Sequence, residues 1–226
     1  IDRLNPYQVV SSASEQLLLN VFEGLIMPAS DGSIVPALAE SYEISEDGKT
    51  YTFTIREGVS FHNGNPMDIH DVEFSLNKMA GKLGDAPTEG LFENIEKIEV
   101  LDDKKIAIHL GKPDSSFIYY MKEAIVPDEN KDHLTEVAIG TGPYQVGEYQ
   151  KEQKLVLTKN ENYWGEKAKI PKVSILVSPN AETNFLKLLS GEINFLTEID
   201  SKRLEELKEF TIASGPRNLC LILALN

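Results

Sequence analysis

The sequence predicts an α/β fold with a long, mostly β segment in its middle. Apolar residues alternate with polar ones along residues 51–56 and again along 106–110, as in half-buried strands. From Lys172 onwards, strand-like and helix-like segments follow one another, which is typical of an α/β fold. The chain of 226 residues is long enough to bury a sizeable core as one large domain or two modest ones.

The first elements predicted are a helix and a hairpin. Apolar residues recur at helical spacing within residues 12–25, which predicts the opening helix. The hydroxyls and the carboxylate of residues 11–15 are of the kind that form a capping box at a helix start. Strands are expected at residues 39–45 and 51–56, because Asp47-Gly48 supplies the turn residues that a hairpin needs.

A second helix is expected after Asp68, which is placed to cap it. Asp68, His70 and Asp71 are close in sequence and could also be drawn as a metal site. That alternative lacks a third, well-spaced ligand on a separate element. The first turn of a helix is the favoured interpretation, because carboxylates there interact well with the helix dipole.

The middle of the chain continues with a hairpin and a turn. Strands are predicted on both sides of Asp102-Asp103, within residues 95–110, and a short helix is predicted near residues 117–121. The glycines of residues 140–143 could cradle a phosphate, but no helix start or Lys-Ser/Thr pair follows them. A tight turn that delivers the strand at 144–149 is favoured, and Trp164 is interpreted as a structural plug under a later turn.

The last part of the chain is predicted to alternate strands and helices. Strands are expected at residues 173–177 and 193–196, and a helix is expected at 181–189 between them.

A charged helix is then predicted at residues 202–207, with Leu204 and Leu207 buried. The final apolar run, residues 219–225, has the composition of a fully buried strand. Cys220 lies in this run and is interpreted as a small buried hydrophobe, and as the single cysteine it rules out a disulfide within the chain.

Composition and motifs exclude several function classes. The net charge of −14 argues against nucleic acid or anionic lipid as the main partner. No stretch approaches the ~20 apolar residues of a membrane span. The chain contains neither G-x-S-x-G nor H-E-x-x-H, so the usual hydrolase signatures find no support. We therefore expect a binding protein that is not an enzyme and needs no cofactor.

Several motifs, in matching order and spacing, resemble the signature of one known family. They are GSIVPALAES at residues 32–41, DGKTYTFTIREGVSFHNG at 47–64, DV-x-FS at 71–75, GTGPY at 140–144 and NENYWGEK at 160–167. Together they span most of the chain. The run resembles the extracytoplasmic solute-binding proteins of peptide and nickel ABC importers, family 5.

The resemblance implies a periplasmic-binding-protein-like lobe of type II. In that arrangement residues 1–35 and 166–226 form the main α/β lobe, and residues 36–165 form an inserted, mostly β subdomain. We expect this chain to be the N-terminal lobe alone, with the second lobe absent and any export signal or lipid anchor removed. The family implies an extracytoplasmic location, in the periplasm or as a cell-surface lipoprotein.

In such proteins the ligand lies in the crevice between two lobes, and each lobe supplies part of the contacts. This lobe's share is carried over by position in the family, and no catalytic residue or protein-held metal is expected. The ligand-binding residues implied in this way are Ser12, Ser14, Glu15, Leu91, Phe92, Thr197 and Glu198.

The resemblance leaves the substrate open between a peptide and a nickel chelate. Local matches such as NENYWGEK look closer to the nickel branch, which is similar to a pattern with arginines in the regions corresponding to residues 81–93 and 123–130. Here the first region contains only Lys82 as a basic residue, and the second contains none. We therefore favour an importer component that captures di- or oligopeptides. A nickel-binding protein and a peptide-signal receptor are the alternatives. We expect the protein to be a monomer and its partner to be a membrane permease.

Overall fold

The computed structural model describes residues 3–29, 31–84, 86–88 and 90–212. The chain divides into two compact units, Ile1–Val177 and Ser178–Asn226. The boundaries of the inserted subdomain that the resemblance implies stay a prediction. The strand expected at residues 219–225, with Cys220, lies outside the described residues.

Three α-helices and five short 3₁₀ helices are described. The α-helices are α1 (Ser12–Leu18), α2 (Ile69–Met79) and α3 (Ala181–Leu189). The 3₁₀ helices are Pro6–Gln8, Gly90–Asn94, Phe117–Lys122, Asp128–Asn130 and Ser201–Leu207. The helices predicted after Asp68 and at residues 181–189 are confirmed, and the segments at 117–121 and 202–207 form 3₁₀ rather than α-helix.

The opening helix is shorter than the 12–25 periodicity predicts, because it ends at Leu18. The carbonyl of Asn20 accepts a hydrogen bond from the Tyr144 amide at 3.0 Å, and the carbonyl of Val21 accepts one from the Gly142 amide at 3.0 Å. These two carbonyls are thus satisfied by the glycine-rich turn, and not by a continuing helix.

The described strands form three antiparallel sheets, in the orders β1-β2, β3-β4-β6-β5 and β7-β8-β9. The strands are β1 (Ile26–Pro28), β2 (Ile34–Pro36), β3 (Ala39–Ile44), β4 (Thr50–Ile55), β5 (Ile95–Val100), β6 (Lys105–Leu110), β7 (Tyr144–Gln150), β8 (Lys154–Lys159) and β9 (Lys172–Leu176). Both predicted hairpins and the strands near 144–149 and 173–177 are confirmed. The hairpin of β1 and β2 was not predicted from the sequence.

The predictions for the second unit are partly wrong. Residues 193–196 form no strand, and no described strand pairs with them. Phe195 is 76% exposed, so its apolar character does not report burial here. Leu207 is buried as predicted, but Leu204 is 38% exposed. A strand requires a hydrogen-bonded neighbour, which an apolar run alone does not supply.

The described residues of the first unit form two apolar clusters. The larger one lies between the four-stranded sheet and α2, where Phe53 and Ile106 on the sheet and Val72 on the helix are fully buried. Alternating burial along β4 matches the period of two that its sequence shows. The smaller cluster joins Leu18 of α1 to Leu155 of β8 and neighbouring residues. α1 is thus held against the rest of the unit by its buried face.

Asp68 caps α2 as predicted. Its Oδ1 accepts hydrogen bonds from the amides of His70 at 2.8 Å and Asp71 at 3.4 Å, and Asp71 Oδ2 accepts one from the Asp68 amide at 2.9 Å. We expect Asp68→Ala to lower the free energy of unfolding by about 1 kcal/mol, because two amides at the helix start lose their acceptor. Urea unfolding of both proteins measures the difference. If a divalent metal raised the melting temperature of the wild type but not of the variant, the capping interpretation would be wrong.

Candidate functional site

A pocket opens beside α1, between this helix, the N-terminal segment and the end of the 3₁₀ helix Phe117–Lys122. The cavity that it encloses is small, about 50 Å³. Its lining is mostly apolar, with charged groups from two elements. The lining residues are Pro6, Val9, Glu15, Leu18, Leu19, Phe22, Lys122, Glu123 and Ala124. Apolar walls with a few polar groups are typical of small-ligand sites.

Two charged side chains meet at this pocket. Lys122 Nζ lies 3.5 Å from Glu15 Oε1, and both side chains remain partly exposed to solvent. Glu15 is one of the residues that the resemblance implies for ligand binding. Lys122 lies one residue before 123–130, a region in which the resemblance to the nickel branch leads us to expect an arginine. The structure therefore brings a predicted site residue together with a cation that sequence reasoning missed.

Backbone packing explains why Lys122 lies beside α1. A Cβ on Gly24 would lie 2.4 Å from the Met121 carbonyl oxygen and from the Lys122 carbonyl carbon, so only glycine allows this approach. The Tyr7 hydroxyl donates a hydrogen bond to the Ala124 carbonyl at 2.7 Å. These contacts hold residues 121–122 against the segment that follows α1 and Ala124 against the segment that precedes it.

The two other predicted residues of α1 differ in exposure. Ser12 is exposed and Ser14 is buried. Ser11 is the N-cap residue but makes no side-chain capping hydrogen bond, so the predicted capping box is not formed. Only the exposed positions of this turn can meet a ligand without rearrangement.

The remaining predicted site residues lie elsewhere. Leu91 and Phe92 belong to the 3₁₀ helix Gly90–Asn94, and Phe92 is fully buried. Its ring centroid lies 6.3 Å from that of Phe117 and 6.0 Å from that of Tyr120. In the described structure the Phe92 side chain therefore packs beneath the helix that carries Lys122.

Thr197 and Glu198 are exposed and lie in the second unit. The ligand-binding roles of all seven residues stay predictions.

The half-buried carboxylate of Glu23 connects the motifs at residues 140–144 and 160–167. Glu23 Oε1 accepts a hydrogen bond from the Tyr163 hydroxyl at 2.6 Å. Its Oε2 accepts bonds from Trp164 Nε1 at 2.9 Å and from Thr141 Oγ1 at 2.8 Å. Burial raises the pKa of the Glu23 carboxyl above its usual value, although these three bonds and the Arg56 charge act in the opposite direction.

Sequence reasoning missed Glu23, because nothing in its local pattern distinguishes it from a surface glutamate. Trp164 is half-buried against the larger cluster, and the Arg56 guanidinium lies 4.5 Å from its ring centroid. The network of Glu23, Thr141, Tyr163 and Trp164 thus fastens the turns at 140–144 and 160–165 to the segment after α1. We refer to these four residues as the Glu23 network.

His62 is bound to the same glycine-rich turn in its neutral form. Its Nδ1 accepts a hydrogen bond from the Gly140 amide at 3.3 Å, and its Nε2 lies 3.0 Å from the Gly142 carbonyl oxygen. Both bonds require a proton on Nε2 and none on Nδ1. Burial lowers the pKa of His62 below its usual value, with the bond to the Gly142 carbonyl acting in the opposite direction.

We expect the free energy of unfolding to fall as the pH drops below ~6.5, the ordinary pKa of histidine. A histidine whose pKa is lowered in the folded state contributes stability above its unfolded pKa, and this stability is lost as the pH falls through the folded pKa. Urea unfolding between pH 8 and pH 5 measures the slope. The slope should be smaller in His62→Gln than in the wild type. Equal slopes in the two proteins would contradict the assignment.

The described residues hold no group of three His, Cys, Asp or Glu side chains arranged to bind a metal ion. Among the same residues, no helix is long and apolar enough to cross a membrane. The cluster at Asp68 is accounted for by the helix cap described above.

The comparison with protein families decides what kind of chain carries this pocket. The model of bacterial extracellular solute-binding proteins, family 5 Middle, matches residues 33–226. The chain belongs to this family. This match confirms the family identified from the motifs. Members of the family are solute-binding proteins and not enzymes.

Relatives of this family 5 protein bind different solutes. It is 33% identical to the nickel-binding periplasmic protein of Escherichia coli K12, over 78% of this chain and 35% of that protein. It is 29% identical to the dipeptide-binding protein of Pseudomonas aeruginosa PAO1, over 80% of this chain and 40% of that one. The chain thus spans less than half the length of these relatives.

Solved structures confirm the predicted fold class of this family 5 protein. Helicobacter pylori DppA in complex with the peptide STSA matches with a TM-score of 0.84 and 30% identity, over 92% of this chain and 47% of that one. Campylobacter jejuni NikZ in complex with Ni(L-His) matches with a TM-score of 0.75 and 26% identity, over 85% and 40%. The chain has the size of a single lobe of these periplasmic binding proteins.

Proposed function

We propose that this chain is the N-terminal lobe of the substrate-binding component of an ABC importer that captures di- or oligopeptides. The observation that carries the proposal is the similarity to the peptide-bound DppA of Helicobacter pylori over 92% of this chain. The substrate-binding component would act outside the membrane, as a periplasmic or lipid-anchored monomer, and would deliver its ligand to the membrane permease of the importer.

The pocket beside α1 supports a peptide better than an anionic metal chelate. An anionic chelate needs cationic partners, and Lys122, the basic residue lining the pocket, already contacts Glu15. Lys82 is the basic residue of 81–93, and its ammonium donates a hydrogen bond to the Glu96 carbonyl at 3.1 Å. Peptides instead offer backbone groups and apolar side chains, which fit walls formed by Leu18 and Phe22.

A nickel chelate is the second candidate, because the chain is 33% identical to the nickel-binding protein of Escherichia coli. In that case the part of the protein beyond this chain would supply the positive charge. The two candidates differ in ligand charge, and a binding experiment can separate them.

The test is a thermal-shift comparison on the full-length protein. One sample receives a mixture of di- and tripeptides, and the other receives nickel with histidine. A ligand at ~100 times its dissociation constant adds about 2.7 kcal/mol to the free energy of unfolding, which gives an easily measured shift. We expect a rise with peptides only. A rise with nickel and histidine only would replace the peptide proposal by the nickel one, and no rise in either sample would contradict both.

A further inference from the structure

Residues 124–128, which we call segment 124–128, continue directly from one wall of the pocket beside α1. Lys122, Glu123 and Ala124 line this wall. The backbone is extended at Glu123 and at Pro127, with ψ of 148° and 132°, but residues 124–127 belong to none of the described strands. The position of the wall therefore depends on what holds segment 124–128 in place.

Two buried polar side chains of α2 bind this segment. Ser75 Oγ accepts a hydrogen bond from the Val126 amide at 3.0 Å and donates one to the Val126 carbonyl at 3.3 Å. Asp71 Oδ1 accepts a hydrogen bond from the Asp128 amide at 3.0 Å. Asp71 and Ser75 lie four positions apart on α2, so they face the same side of the helix. Together they bond to every second residue of the segment, as a neighbouring strand does in an antiparallel sheet.

Apolar burial alone does not fix the register of segment 124–128. Its first three residues, 124–126, are all apolar and all buried, so a shift by one residue would again bury apolar side chains. The polar contacts are more selective, because Ser75 and Asp71 are only 0% and 6% exposed and a shift would leave buried polar groups unpaired. In one direction the shift would also place Pro127, which has no amide hydrogen, opposite Asp71.

We propose that Asp71 and Ser75 are positioning residues for ligand binding. They fix the register of segment 124–128, and this register places Lys122 and Glu123 at the pocket beside α1. The inference rests on the proposed function, since it names residues on which the affinity for the ligand depends. It also gives the motif D-V-x-F-S a role, because the first and last residues of this motif are the two that bind the segment.

The first measurement is hydrogen exchange of the ligand-free, full-length protein, followed by mass spectrometry. Ser75→Ala and Asp71→Ala each remove a hydrogen-bond partner of segment 124–128. Exchange in a fragment covering residues 123–129 should therefore become roughly threefold to tenfold faster relative to a fragment covering β4. Asp68→Ala is the matched control, because it removes the cap of the same helix and leaves Asp71 and Ser75 in place. This control should leave the ratio of the two exchange rates unchanged.

The second measurement is the concentration of the di- and tripeptide mixture that half-saturates the full-length protein in buffer without denaturant. Circular dichroism checks that each variant is folded there, so that a loss of stability alone does not change the affinity. Ser75→Ala and Asp71→Ala should weaken the affinity roughly tenfold, as is typical of residues that orient metal ligands. Asp68→Ala should leave it unchanged. Asp71→Asn keeps one acceptor oxygen, so it should have an intermediate effect and replaces Asp71→Ala if that variant does not fold.

The outcomes separate this inference from the proposed function. Unchanged exchange of segment 124–128 in Ser75→Ala and Asp71→Asn would overturn the positioning role, whatever ligand the protein binds. Faster exchange with an unchanged peptide affinity would also overturn it and leave peptide binding in place. If the wild type binds nickel with histidine instead of peptides, the proposed function fails, and the affinities of the variants for that chelate decide the inference. Binding of neither ligand would overturn both.

Discussion

Replacing Gly140 by alanine is expected to lower the free energy of unfolding by about 3 kcal/mol, the upper end of what overpacking costs. A Cβ at this position would lie 2.0 Å from the Val21 carbonyl oxygen and 2.9 Å from the ring of Phe22. The nearer atom is backbone, so no side-chain rotation relieves the clash. The turn and the segment after α1 must separate, and this separation also weakens the bonds of Gly142 and Tyr144 to that segment.

Urea unfolding followed by tryptophan fluorescence measures this effect. Trp164 is the single tryptophan of the chain, and it belongs to the Glu23 network that holds the same turn. Gly90→Ala is the matched control, because a Cβ on Gly90 has no atom within 4 Å and the backbone there is not left-handed. Its effect should stay within about 0.5 kcal/mol. Equal costs for the two substitutions would show that the close approach at Gly140 is not maintained in solution.

Glu23→Ala is the second substitution with a large expected effect, about 3 kcal/mol of lost stability. It removes the acceptor of three donors, and a buried donor without an acceptor costs about 1 to 3 kcal/mol. The Thr141 hydroxyl belongs to a fully buried residue, whereas Tyr163 and Trp164 are half-buried and can regain some contact with water. The total is therefore smaller than three full penalties.

Glu161→Ala is the matched control for Glu23→Ala. Glu161 lies in the motif at 160–167, which also contains Tyr163 and Trp164. Its carboxylate contacts the Lys159 ammonium at 3.1 Å, but its side chain is 70% exposed. Exposed ion pairs contribute little, so its loss should cost less than about 1 kcal/mol. Trp164 fluorescence in the folded state should shift in Glu23→Ala and not in Glu161→Ala. A similar cost for both variants would mean that the Glu23 network does not stabilise the fold.

The pH dependence of Glu23→Gln tests the ionisation of the carboxyl. Because burial raises its pKa in the folded state, ionised Glu23 opposes folding more than protonated Glu23 does. The stability that protonated Glu23 contributes is present below pH ~4.5, the ordinary pKa of the carboxyl, and is lost as the pH rises through the raised pKa of the folded state. Relative to the wild type, Glu23→Gln should therefore gain stability as the pH rises above ~4.5. A difference that is independent of pH would contradict the raised pKa.

The family and most local elements could be predicted from the sequence, because they depend on short-range patterns. The turn residues Asp47-Gly48 and the alternation along residues 51–56 predict a hairpin that the structure contains. Asp68 predicts a cap because its side chain reaches amides only two and three residues away. The motifs at 140–144 and 160–167 identify the family without any knowledge of what their residues contact.

The candidate site depended on contacts between residues far apart in the chain. Glu15 could be predicted from the resemblance, but its contact with Lys122 spans 107 residues. The contact arises because Gly24 leaves room for the backbone of residues 121–122. Phe92 was predicted as a ligand contact, yet its apolar ring lies in the core, since sequence position does not distinguish an aromatic side chain that faces a ligand from one that faces the core.

The sequence by itself determined the family, the two predicted hairpins and the capped helix, because each follows from short motifs or from residues within a few positions of one another. Only the tertiary structure decided where α1 ends, which donors surround Glu23 and which charges share the pocket. In each case the partner of a group comes from a distant segment. Amides of the turn at 140–144 donate hydrogen bonds to the carbonyls of Asn20 and Val21, and Tyr163 and Trp164 donate hydrogen bonds to the carboxylate of Glu23. Hydrogen bonds and charges act through distance in space, which local periodicity does not encode.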